Sequence, residues 1–235
     1  KRAGLETVRA LGNTNTHQEV AEWVVENCID WSRVDAHTRF LEPAVGMGSF
    51  YRAIADRLLA RGFAPADVFG RQIIGLDVDA NALALCRASL VEKYGEAAST
   101  AVLLHEDFWG GYWPQEGFDW IVTNPPYVSA QRTAPPFGGD KEAWMTQALM
   151  RLEHQPAPRS DLYALFHIKA LQMLRPGGSC VFLCSDSWVD SEFGSALKAM
   201  VLDEQWGLER VINSQLRPFF RDDTNAIITV IRRLT

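Results

Sequence analysis

The chain contains no repeat and no low-complexity tract, and no apolar run of the roughly 18–20 residues that a membrane-spanning helix needs. It has only four cysteines in 235 residues, Cys28, Cys86, Cys180 and Cys184. Cys180 and Cys184 share one short apolar run, and their even spacing puts both on one face of a strand. That spacing suits neither a zinc site nor a disulfide framework, so no metal is expected and the thiols read as buried and reduced. A cytoplasmic setting is the corresponding expectation. The first residues, Lys1-Arg2-Ala3-Gly4-Leu5-Glu6, do not form a signal peptide, and with no initiator methionine the chain reads as a fragment. A basic stripe is also missing. Lys and Arg number 23 against 29 Asp and Glu, for a formal net charge of −6, which disfavours a stand-alone duplex-DNA binder.

What is present is a full apolar complement, 47% hydrophobic with 22% charged, enough for one large α/β domain. Helical spacing of Val20, Trp23, Val24 and Cys28 predicts a helix over 16–28. Short apolar strands are predicted at 38–43, 72–77, 101–105, 119–123, 179–184, 208–212 and 226–232. Helices are predicted after the 44–48 turn and at 80–93, 162–174 and 191–203. Residues 128–160 hold Pro135, Pro136, Pro156, Pro158 and the pair Gly138-Gly139, and read as a partly irregular insertion within a single domain, 1–235. Strands alternating with helices imply a doubly wound, mostly parallel sheet of the Rossmann-like class.

Such sheets bind ligands at the carboxyl ends of their strands. Three consecutive strand ends here carry suitable groups. Glu42-Pro43-Ala44-Val45-Gly46-Met47-Gly48 is a tight Gly-x-Gly turn opening a helix; position 51 is tyrosine, which departs from the dinucleotide fingerprint, and no Gly-Lys-Ser/Thr follows. Asp77 ends the second strand, where a carboxylate can take both hydroxyls of a ribose. Asp107 follows the third and can accept from an adenine amino group, with Phe108 beside it as a stacking surface. Each aspartate alone reads more readily as a helix cap or a loop residue, and it is the three successive strand ends together that favour a ligand site; Asp79 is read as the cap of the 80–93 helix.

Asn124-Pro125-Pro126-Tyr127 follows the fourth strand directly. An amine conjugated to a ring is a poor nucleophile because its lone pair is delocalised. Two acceptors on its two N–H bonds pull the nitrogen toward tetrahedral geometry. The Asn124 side-chain oxygen and the Pro125 carbonyl can be those acceptors. The prolines fix the local backbone and so aim both. Tyr127 offers a flat face to a base taken out of its stack.

With these residues the sequence resembles the adenine-N6 DNA methyltransferases of restriction-modification systems, in their γ-class motif order. Glu42-Pro43-Ala44-x-Gly46-x-Gly48-x-Phe50 is similar to that family's first cofactor motif. Thr16-His17-Gln18-Glu19-Val20-Ala21 resembles its N-terminal Thr-Pro-x-x-Val-Ala segment, with His17 in place of the proline. The resemblance implies S-adenosylmethionine as cofactor, with Thr16 at its methionine carboxylate, Asp77 on its ribose, Val78 packed on its adenine, and Asp107 and Phe108 at the adenine edge and face. It implies a flipped adenine in DNA as substrate, and an aromatic near Thr224-Asn225-Ala226 beside that base, Phe219 first and Phe220 second. The basic region with which that family reads DNA is not found in these 235 residues, so a further C-terminal region or a partner subunit is expected to supply it. Three alternatives stay open: an adenine in RNA, the amide of a protein glutamine, and a cofactor-binding subunit with no catalysis.

Overall fold

A computed structural model describes residues 16–112, 114–126, 134–150, 162–186, 195–213 and 226–234. Its centre is a seven-stranded sheet: β1 (Phe40–Glu42), β2 (Ile73–Asp77), β3 (Val102–His105), β4 (Phe118–Thr123), β5 (Leu174–Ser185), β6 (Trp206–Asn213) and β7 (Ala226–Arg233). Their spatial order is β3-β2-β1-β4-β5-β7-β6. Strands β1 to β5 pair in parallel, while β7 runs antiparallel to both β5 and β6. The order reverses between β1 and β4, with Leu41 in register with Ile74 on one side and Ile121 on the other.

The longer helices among the described residues are α1 (Gln18–Cys28), α2 (Ser49–Ala60), α3 (Ala80–Tyr94), α4 (Lys141–Met150), α5 (Leu162–Gln172) and α6 (Ser195–Val201). Both sheet faces are covered, so the strands are apolar on both sides instead of alternating with polar residues. On one face Phe40, Trp120, Val122, Val181 and Leu183 meet Val24 and Cys28 of α1, Ile54 and Leu58 of α2, and Leu83 and Cys86 of α3. On the other, Leu41, Ile121, Cys180, Phe182 and Cys184 meet Leu165, Phe166, Ile168 and Leu171 of α5 and Leu197 and Met200 of α6. All four cysteines are buried and none forms a disulfide. Burial raises the thiols of Cys28 and Cys86, to about 11 and about 12 respectively.

Most elements match the sequence reading to within a few residues, and three differences are larger or new. Strand β5 begins at Leu174, five residues early, because Leu174 pairs with Phe118 across an irregularity in β4. Strand β6 is longer than 208–212, since seven of its residues pair with β7. The insertion contains the ordered helix α4, whose start is set by Asp140: Oδ1 accepts from Ala143 N at 2.7 Å. No helix among the described residues is long and apolar enough to cross a membrane, and none of their His, Cys, Asp and Glu side chains cluster as a metal site.

Candidate active site

The carboxyl ends of β1, β2, β3 and β4 bring Glu42, Asp77, Asp107 and Asn124 to one edge of the sheet, at the point where its strand order reverses. The turn after β1 is held to β2 from both its backbone and a side chain. Val45 N donates to Leu76 O at 2.7 Å, and Gly46 N donates to Asp77 Oδ2 at 2.7 Å. Gly46 and Gly48 take φ of 49° and 81°, the left-handed region that glycine enters without penalty. Gly48 is needed for space as well, because a Cβ there would lie 2.5 Å from Cys86 Sγ.

Glu42 lies beneath this turn and is 2% exposed. Burial pushes its carboxyl well above the usual range, partly offset by the backbone N–H groups of Tyr51 and Phe50 and by Arg52. Its Oε2 has no hydrogen-bond partner among the described residues. Asp77 is also raised by burial, with the N–H groups of Asp79 and Gly46 opposing that shift. Its Oδ1 accepts from Asp79 N at 2.9 Å, so the carboxylate organises the turn, and each oxygen keeps a second acceptor direction for a ligand hydroxyl. Asp79 caps α3, its side chain accepting from Asn81 N. Val78 is half-buried next to Asp77.

Asp107 closes a turn of its own. Oδ1 accepts from Trp109 N at 3.0 Å, and Oδ2 from Gly110 N at 2.9 Å and from the Trp144 indole Nε1 at 2.6 Å. Trp144 comes from α4, so the insertion reaches this edge of the sheet. Gly110 makes room for it: a Cβ there would sit 2.3 Å from Trp144 Nε1.

Strand β4 delivers Asn124, which is 9% exposed, followed by buried Pro125 and half-buried Pro126. Asn124 Nδ2 donates to Thr16 Oγ1 at 3.0 Å, and Thr16 O accepts from Ser49 Oγ at 2.8 Å. Thr16 therefore ties the β4 end to the first turn of α2. Arg52 reinforces this link by donating to Gln18 Oε1 and to Met47 O.

Residues 98–220 match the Eco57I restriction-modification methylase family. Across 98% of its length the chain is 30% identical to the type II methyltransferase M.PaeR7I of Pseudomonas aeruginosa. The chain belongs to the Eco57I restriction-modification methylase family.

A second relative, the type II methyltransferase M.XhoI of Xanthomonas vasicola, is 30% identical over 80% of the chain. The chain spans 41% and 36% of the lengths of these two relatives. Among solved structures, the methyltransferase subunit of a type I restriction-modification system from Streptococcus thermophilus superposes with a TM-score of 0.70 at 16% identity, covering 94% of this chain and 44% of that one. A putative class I S-adenosylmethionine-dependent methyltransferase from Listeria monocytogenes superposes at 0.67 and 15% identity, covering 100% and 68%. The fold is the class I methyltransferase fold.

Within this family member, the structure brings Thr16, Glu42, Pro43, Ala44, Gly46, Gly48, Asp77, Val78, Asp107, Asn124, Pro125 and Pro126 to one edge. Tyr127, Phe219 and Phe220 lie outside the described residues. Phe108 requires a correction. Its ring is 1% exposed and packs in the core against Phe166, with centroids 4.9 Å apart, so it offers no open face to an adenine. Burying an aromatic among apolar side chains outweighs exposing it at a rim. Two residues escaped the sequence reading: Trp144, and Lys169 of α5. Lys169 is 0% exposed and donates from Nζ to the carbonyls of Phe108 and Trp109.

Proposed function

We propose that this chain is the catalytic domain, 1–235, of a site-specific DNA methyltransferase that transfers the methyl group of S-adenosylmethionine to N6 of a flipped-out adenine. The observation that carries this reading is the placement of Asn124-Pro125-Pro126 beside the Gly46–Gly48 turn, joined to it through Thr16. The donor set fits the cofactor. Glu42 Oε2 is a buried carboxyl oxygen without a hydrogen-bond partner among the described residues, and a cationic sulfonium or ammonium group of the ligand would favour its ionised form there. Asp77 supplies acceptors for a ribose diol, and Asp107 an acceptor for an adenine amino group. A hydroxyl accepts and donates at once, so Thr16 can hold Asn124 and still donate to the cofactor's carboxylate.

When bound, the cofactor supplies an electrophilic methyl group. The chain's part is to prepare the amine. The Asn124 side-chain oxygen and the Pro125 carbonyl accept its two N–H bonds and draw the lone pair out of conjugation. Rigid prolines hold both acceptors in place before the base arrives, so little reorganisation accompanies the reaction. The nitrogen becomes acidic only after it bonds to the methyl carbon, so a strong base is not required. Tyr127 receives the flipped ring by stacking.

Phosphate binding needs Lys and Arg, and these 235 residues carry a net charge of −6. DNA recognition is therefore assigned to a further region of the protein or to a partner subunit. The test is transfer of labelled methyl groups to DNA, RNA and protein in parallel by the enzyme complete with its DNA-recognition region or subunit, with Asn124→Ala beside the wild type. The reading predicts label in DNA alone and loss of turnover in Asn124→Ala with unchanged cofactor affinity. Label in RNA or protein, or an active Asn124→Ala, refutes it.

A further inference from the structure

Helix α5 carries a lysine where its surroundings call for an apolar side chain. Leu165, Phe166, Ile168, Ala170 and Leu171 are all buried, and Lys169 is buried among them at 0% exposure. A buried ammonium is costly unless it is well hydrogen-bonded, and an apolar residue of similar size in its place is often neutral or stabilising. Packing alone does not account for a lysine here.

Its contacts supply a reason. Nζ lies 4.8 Å from the centre of the Phe108 ring and donates to the Phe108 carbonyl and, at 3.2 Å, to the Trp109 carbonyl. The same turn offers its Trp109 and Gly110 N–H groups to the Asp107 carboxylate, at 3.0 and 2.9 Å. The peptide units of residues 108–110 are thus held at both ends, their N–H groups by an anion and carbonyls by a cation. Charge-assisted hydrogen bonds are the stronger kind. Together they fix the direction in which Asp107 faces the sheet edge.

We propose that Lys169 is a positioning residue for the cofactor site: by holding the Phe108 and Trp109 carbonyls it fixes the turn that presents Asp107 to the cofactor's adenine, and so sets selectivity for that base. This rests on the cofactor reading above. Lys169 itself touches no ligand. With its ring in the core, Phe108 contributes to the site through its backbone, and Lys169 is the group that secures that backbone.

The test is calorimetric titration of the protein with S-adenosylhomocysteine and with S-inosylhomocysteine, in which a carbonyl replaces the adenine amino group. The wild type is expected to prefer the adenine form by about tenfold or more, since an acceptor aimed at an amino group is left unpaired by the analogue. In Lys169→Met, affinity for S-adenosylhomocysteine is expected to fall about tenfold and the preference to shrink to about threefold or less. Lys169→Gln, which keeps a shorter N–H donor, is expected to fall between and carries the test should the Met variant fail to fold. A lysine with a purely structural role would lower the melting temperature and leave the preference intact. A full preference in either folded variant therefore overturns the proposal. A wild type that binds both ligands equally overturns the adenine assignment of Asp107, and one that binds neither overturns the cofactor reading; the proposal falls with either.

Discussion

Asn124 and Thr16 stand 108 positions apart in sequence, and the Asn124 amide donates to the Thr16 hydroxyl at 3.0 Å. The group read as the nucleophile's acceptor is thus oriented by the segment that leads into α1, and that segment is itself fixed to α2 through Ser49. The end of β4 and the start of α2 thereby form one hydrogen-bonded unit.

Replacing Thr16 with valine keeps the shape and removes the acceptor. Loss of one such bond is worth about 0.5–1.5 kcal/mol, so kcat is expected to fall roughly 2- to 12-fold, while Thr16→Ser stays near wild type. Steady-state methyl transfer at saturating DNA measures this. An unchanged kcat in Thr16→Val would remove Thr16 from the positioning of Asn124.

Glu42 gives a pH prediction with a definite sign. Its carboxyl is raised in the folded state by burial, so between the ordinary glutamate range and that higher value the folded protein binds more protons than the unfolded one. Stability contributed by Glu42 is therefore present at low pH and lost as pH rises through that interval. Urea denaturation of wild type and Glu42→Gln at pH 5.5 and 7.5 checks it. The stability of the wild type relative to the variant should decrease between the two pH values, and an increase would contradict the buried, proton-retaining carboxyl.

The meeting of the strand ends at one sheet edge was legible in the sequence because its parts are punctuation. Gly46 and Gly48 mark a turn, Pro125 and Pro126 end a strand, and Asp77 closes another. Each signal is local, and the parallel sheet then brings the strand ends together. Phe108 was misplaced because adjacency to Asp107 does not say which way a ring turns; Phe166, 58 positions later, decides it by packing against that ring. Lys169 left a trace that went unused. Residues 165–171 of α5 are all buried, so along this stretch there is no solvent face to which the lysine could point. Helix α4 was hidden by the prolines and glycines around it, although Asp140 at its start is an ordinary capping residue.

That helix can be tested through Gly110. A Cβ at this position would meet Trp144 Nε1 at 2.3 Å and Asp107 Oδ2 at 2.6 Å, both belonging to the hydrogen bond that ties α4 to the turn. Gly110→Ala is expected to weaken S-adenosylhomocysteine about tenfold, and Trp144→Ala in the same protein, by making room, to restore part of the loss. Calorimetry of the two proteins decides it; a harmless Gly110→Ala would mean that Trp144 does not pack on the turn.

The central claim is that the prepared nucleophile is the N6 amine of adenine. It is tested most directly by methylating DNA with isotopically labelled cofactor, digesting the product to nucleosides and identifying the labelled nucleoside by mass spectrometry. The account predicts that the label resides in N6-methyladenine. Label in N4-methylcytosine or 5-methylcytosine would contradict it.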